Sequence, residues 1–195
     1  RSYVPPAGSG YFVLSAGTWD GNLGGLAGAN AKCLADLTAN DWMGKADATA
    51  RGLLNSAHVS AFLCNNHTNP CQNALPLVTY YFAVSGDNTK GGASFTTDSS
   101  GKGPGNTQNW AGVNYFGGPV QYYRGSTPTS DTLWGHGGHN SAYLCSGWTS
   151  STSSVSMVNL GSSNNTNRYR FGDVSYSQGS GACSVLIHLV CMVHP

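Results

Sequence analysis

Apolar residues fall in short blocks separated by long polar stretches. Tyr11, Phe12, Val13 and Leu14 make an unbroken run that fits a buried strand. The pattern then changes. Leu23, Leu26, Asn30, Cys33 and Leu37 are spaced three, four, three and four apart, with Ala27 and Leu34 widening the stripe. That spacing predicts one face of an amphipathic helix of about three turns. Gly24, Gly25 and Gly28 near its start would weaken an isolated helix, so they imply close backbone packing. A weaker helical stretch is predicted over 45–56, and a strand over 58–63 leading into Cys64. The run at 75–84, LPLVTYYFAV, is β-prone, and 120–123 reads as another short strand. The segment 183–191 is the best strand in the chain and carries a cysteine at each end. Trp19, Trp134 and Trp148 are expected in the core.

The polar stretches read as connections. Residues 85–110 are predicted to be a long loop system, partly ordered by Phe95 and Trp110, and 149–167 a second polar loop. Residues 1–10 read as an extended arm, because Pro5-Pro6 forbids helix and Gly8 and Gly10 loosen the chain. With 195 residues and no internal repeat, 11–195 is expected to form one α+β domain.

Charge narrows the classes. The chain has 9 Lys+Arg, 8 Asp and no Glu, for a net charge of +1, and charged residues are 9% of it. Nine dispersed cations give no basic face for nucleic acid. No apolar run approaches the roughly 20 residues of a membrane-spanning helix. Abundant Gly, Ser, Thr and Asn disfavour a helical bundle. Solubility must come from neutral polar groups, which suits a secreted or cell-surface protein. The chain opens on Arg1 rather than Met, as a chain shorn of its leader or cut from a longer one would. The six cysteines, Cys33, Cys64, Cys71, Cys145, Cys183 and Cys191, form no C-x-x-C pair, which disfavours a zinc ribbon or thioredoxin-type site. Asn66 and Asn164 head two N-glycosylation triplets in polar, turn-rich surroundings.

Three stretches carry a resemblance. The first is Asn22-Leu23-Gly24-Gly25-Leu26-Ala27-Gly28-Ala29-Asn30-Ala31-Lys32-Cys33. The second runs from Ser130-Asp131-Thr132-Leu133-Trp134-Gly135-His136-Gly137 on to Tyr143-Leu144-Cys145-Ser146-Gly147-Trp148. The third is 183–191. In this order they resemble the endostatin domain of collagens and its bacterial endostatin-like relatives, a branch of the C-type-lectin-like fold. Residues 59–63 also fall where that family has an Ala-Phe-Leu strand. The resemblance covers most of the chain from Tyr11 to Val193, but the loops do not match, and 38–57 looks like an insertion. It implies an endostatin/C-type-lectin-like single domain with long loops and three disulfides. The implied pairs are Cys33 with Cys191 and Cys145 with Cys183, with Cys64 and Cys71 as an additional pair. It also implies adhesion to extracellular-matrix or plasma proteins as the general class of function.

Candidate chemistry is sparse. His136 and His139, three apart in a Gly-rich turn, are weak metal candidates, with Asp131 as the sole nearby carboxylate. The His-rich arm by which mammalian endostatins hold zinc is absent, so no metal or other cofactor is expected. The calcium-dependent sugar triplets of C-type lectins are also missing. Neither a Gly-x-Ser-x-Gly elbow nor a recognisable carboxylate pair is present, so no enzyme activity is expected. Aromatic rings beside amides suit neutral sugars: C–H faces stack while amides bond hydroxyls. Asn109, Trp110, Tyr115, Phe116, Tyr122 and Tyr123 are such a set, and Arg168 and Arg170 alternate as they would on one face of a strand. The expected function is a non-enzymatic module binding glycans or matrix-type ligands through 85–119 and 149–170. The alternative is a subunit of an extracellular filament or sheath, in which Tyr3, Val4, Pro5 and Pro6 of the arm add to a neighbour's sheet edge.

Overall fold

The computed structural model describes residues 6–63, 72–99, 101, 121–123, 145–152, 160–162, 182–184 and 186–195. In chain order the elements are β1 (Gly10–Trp19), α1 (Gly25–Ala39), α2 (Lys45–Ala50), β2 (Val59–Ala61), β3 (Thr79–Val84), β4 (Asp87–Thr96), β5 (Gln121–Tyr123), β6 (Leu160–Ser162) and β7 (Ile187–Val193). They make an α+β domain around one mixed sheet, ordered β4-β3-β1-β7-β5-β6, with β2 also paired to β7. Strand β1 lies inside the sheet, parallel to β3 and antiparallel to β7.

The apolar run 11–14 explains that position. Alternate side chains of a strand point to opposite faces. Tyr11 and Val13 enter the core under the helices, whereas Phe12 and Leu14 enter a second core on the other face. A strand covered on both faces needs an unbroken apolar run rather than an alternating one. The strand runs on past the predicted residues to Trp19, which is half-buried rather than fully enclosed.

Helix α1 begins two residues later than its stripe and buries Ala29, Cys33, Asp36 and Leu37. A Cβ at Gly28 would stand 2.0 Å from the Leu23 carbonyl oxygen, so only glycine allows this entry into the helix. At the far end the orphan carbonyls find donors outside the helix. Trp42 Nε1–H donates to Leu37 O at 3.0 Å, and Lys45 Nζ donates to Thr38 O and Asn40 O at 2.7 Å each.

Residues 38–57 are therefore built into the domain. Trp42 is buried and meets the Tyr11 ring edge-on, with centroids 5.2 Å apart. Tyr11 Oη donates to Asp47 at 2.7 Å, and Arg51 bridges Asp47 at 2.9 Å to the Ser9 carbonyl at 2.7 Å. The predicted helix over 45–56 is shorter, ending at Ala50, because Gly52 takes a left-handed φ of 69°.

Four expectations are corrected. The predicted polar loop 149–167 contains β6, which is a strand because it pairs with β5. The predicted loop 85–110 contains β4. Its Asp, Asn, Lys and Gly residues have little strand preference, but Ser85-Gly86 closes a two-residue hairpin onto β3, and Phe95 is buried at its far end. The predicted strand 183–191 begins later. Cys183 lies in a short 3₁₀ turn (Ala182–Ser184), and only Cys191 is in β7. The arm 1–10 is not extended throughout. Ser9 N–H and Oγ–H both bond the Pro6 carbonyl, at 3.2 and 2.6 Å, making a turn, and Gly10 already belongs to β1.

Candidate functional site

Two disulfides cross the described structure, Cys33–Cys191 and Cys145–Cys183, which are the two pairings the resemblance implies. The first joins the middle of α1 to β7 and closes a separation of 158 residues. The second joins Cys145, in a turn over 145–148, to Cys183, in the 3₁₀ turn that precedes β7.

The backbone at this second anchor is unusual. Cys145, Ser146, Gly147 and Trp148 have φ of 47°, 54°, 68° and 65°, a single left-handed turn with three non-glycine residues. Each such residue costs roughly 1–2 kcal/mol against a right-handed turn. The surroundings hold it there. Trp148 is buried, its carbonyl accepts from Leu23 N–H at 2.9 Å and Gly24 N–H at 3.1 Å, and Cys145 O accepts from Thr149 and Ser150 N–H at 3.1 Å each. Gly21 N–H donates to Cys183 O at 2.7 Å, and a Cβ at Gly21 would stand 2.5 Å from Cys145 Sγ. The start of α1, the turn and the 3₁₀ turn thus form one knot.

No family model matches the chain, and no curated protein matches it.

Of the ligand candidates, Tyr122 and Tyr123 lie on β5 as predicted for a strand; Tyr122 is in register with His188 of β7, and Tyr123 with Leu160 of β6. Asn109, Trp110, Tyr115, Phe116, Arg168 and Arg170 lie outside the described residues, as do Cys64, Cys71, Asn66, Asn164, His136, His139, Tyr3, Val4 and Pro5. Pro6 is in the turn described above. The proposed donation of the arm to a neighbouring sheet cannot extend to Tyr11, which pairs with β3 and β7 on both sides. Within the binding stretch 85–119, residues 87–96 are sheet rather than loop. Among the described residues, no group of three or more His, Cys, Asp or Glu side chains is placed to hold a metal ion.

The sequence reading missed a cluster at the end of β7. His194 Nε2 is 3.0 Å from Ser60 Oγ, and its Nδ1 is 2.8 Å from Tyr80 Oη. His58 Nδ1 bonds the His194 carbonyl at 3.0 Å, and His194 N–H donates to His58 O at 2.8 Å. Tyr80 Oη also accepts from Leu75 N–H at 2.9 Å. The two ring nitrogens of His194 thus join β2 to β3: one tautomer donates to Ser60 and accepts from Tyr80, and the other does the reverse. Burial, with a smaller contribution from nearby His58, pushes the His194 pKa down to about 4. Burial likewise pushes Tyr80 up to about 12, against the lowering effect of the Leu75 N–H. Both groups are neutral near pH 7. No local motif announces this cluster, because its members are spread from residue 58 to residue 194.

Proposed function

We propose that this chain is an extracellular, non-enzymatic binding module with an endostatin/C-type-lectin-like fold, recognising glycans or matrix-type ligands. The segments that carry recognition are 97–119 and, outside β6, 149–170; residues 87–96 and 160–162 serve the sheet. One observation carries the reading. The Cys145–Cys183 disulfide and the hydrogen bonds of the turn around it tie the start of 149–170 to residues 21–24, just ahead of α1. A rigid base with variable connections above it is the usual arrangement for binding carried on loops. The two cystines and the low charge support a location outside the cytosol. No helix among the described residues is long and apolar enough to cross a membrane.

The test is a screen of the folded, oxidised protein against arrayed glycans and matrix proteins. A ligand should bind, and Trp110→Ala combined with Tyr115→Ala should weaken it at least tenfold while both disulfides stay intact. Absence of binding across the arrays removes this reading. Self-assembly through residues 1–5 is the competing role, and sizing under native conditions separates the two. A monomer that persists on concentration argues against a filament subunit.

A further inference from the structure

The two disulfides are built into parts of the fold with very different resistance to opening. Cys33 lies mid-way along a fifteen-residue helix, and Cys191 lies in a strand paired on both edges, with β1 and with β2. Separating those sulfurs means breaking α1 away from the sheet. Cys145 and Cys183 lie instead in two short turns, outside every strand and outside α1 and α2. Both cysteines are buried, as Cys33 and Cys191 are, but their immediate neighbours Ser146 and Ser184 are exposed, so the difference lies in how much structure must open to reach the sulfurs. Local opening follows such boundaries, because segments with few ladder hydrogen bonds open without global unfolding. The left-handed backbone adds a second bias. Cys145, Ser146 and Trp148 hold positive φ only while the turn is clamped, and an opened turn relaxes to right-handed or extended conformations.

We propose that Cys145–Cys183 is a redox-sensitive latch that an external dithiol opens while Cys33–Cys191 stays closed. A thiolate of the dithiol attacks one sulfur of the cystine, forming a mixed disulfide and releasing the other cysteine as a thiolate that takes a proton from water. The second thiol of the reagent then displaces the remaining cysteine. The protein gains two electrons and two protons, and the dithiol becomes a cyclic disulfide. Opening parts the turn at 145–148 from the turn at 182–184, with the start of α1 released from Trp148. If the binding role proposed above holds, reduction loosens the base of 149–170 and leaves the sheet in place. The latch itself does not depend on that role.

The experiment titrates the native, oxidised protein with dithiothreitol. Thiols are blocked with one mass label, then the remaining cystines are reduced and blocked with another, and peptides are mapped. Far-ultraviolet circular dichroism is followed in parallel. Cys145 and Cys183 should be labelled at a dithiothreitol concentration at least tenfold below that needed for Cys33 and Cys191, with the secondary-structure signal retained. Joint opening of both cystines, or earlier opening of Cys33–Cys191, overturns the proposal. Ser146→Gly tests the backbone bias, because glycine accepts the left-handed turn. Roughly fivefold more dithiothreitol should be needed to open the latch in this variant. An unchanged midpoint refutes the contribution of strain. The double variant Cys145→Ser, Cys183→Ser should keep the wild-type dichroism; loss of the fold refutes a latch that opens locally. None of these readouts uses a ligand, so they succeed or fail separately from the binding screen.

Discussion

The two faces of the sheet are held by different physics. The helix face is fastened by linkages: both cystines, the Tyr11–Asp47–Arg51 chain, and Asp36, whose carboxylate accepts from Ala16 N–H at 3.2 Å and Gly17 N–H at 2.8 Å. The opposite face is held by ring packing. Phe12 stands at its centre, with the rings of Phe62, Tyr80 and Phe95 at 5.1, 5.1 and 5.0 Å, and Phe82 at 6.2 Å. The difference follows from composition. A helix rich in Gly and Ala offers little apolar area per residue, so α1 needs directional ties to stay on the sheet. Five large rings bury enough surface to hold themselves, and aromatic edges add specific geometry.

The strongest break of the helix face is removal of its long cystine. Cys33→Ser with Cys191→Ser should cost about 4–5 kcal/mol on the chain-entropy account, mostly by freeing the unfolded chain. Urea unfolding checks this, and the slope m should rise, since an uncrosslinked unfolded chain exposes more surface. Phe12→Ala attacks the other face. It should cost about 4 kcal/mol, from lost burial and the cavity left among four rings. Here m should stay unchanged, because the effect lies in the native state. Equal changes of m in the two variants would erase the distinction between faces.

A smaller effect comes from acid. His194 packs edge-on against Tyr80 at 5.9 Å, so it belongs to the aromatic face. Its folded pKa, about 4, lies below its ordinary 6.5. On lowering the pH the unfolded state therefore takes the proton first. The stabilisation from a neutral His194 is complete above pH 6.5 and is lost as pH falls from there to about 4. The total loss is about 3 kcal/mol. Urea unfolding at stepped pH checks this, and His194→Gln should flatten the slope in that window. A wild-type profile that is flat between pH 6.5 and 4 contradicts the burial of this ring.

Much of the frame was legible in the residues alone. The apolar runs at 11–14 and 75–84 and the stripe from Leu23 to Leu37 are strong signals, because burial on one or both faces leaves its mark in the sequence, although β3 starts only at Thr79 and α1 at Gly25. Strand β4 was not legible. Its Gly-Gly and Thr-rich stretch has no pattern of its own and becomes a strand only by pairing with β3. The turn 145–148 was hidden for a related reason. Only Gly147 hints at positive φ, and the other three residues are held there by contacts with residues 21–24 and Cys183. The His194 cluster draws on three distant places in the chain, 58–60, 75–80 and 194, and has no spacing to detect.

The sequence by itself determined which segments must be buried, and that neutral polar groups rather than charges would face water, because hydrophobic period and composition are local quantities. The tertiary structure alone decided the left-handed knot, the hairpin onto β3 and the protonation state of the last histidine. Each of these depends on groups far apart in the chain, whose interaction energy exists only once the sheet has brought them together.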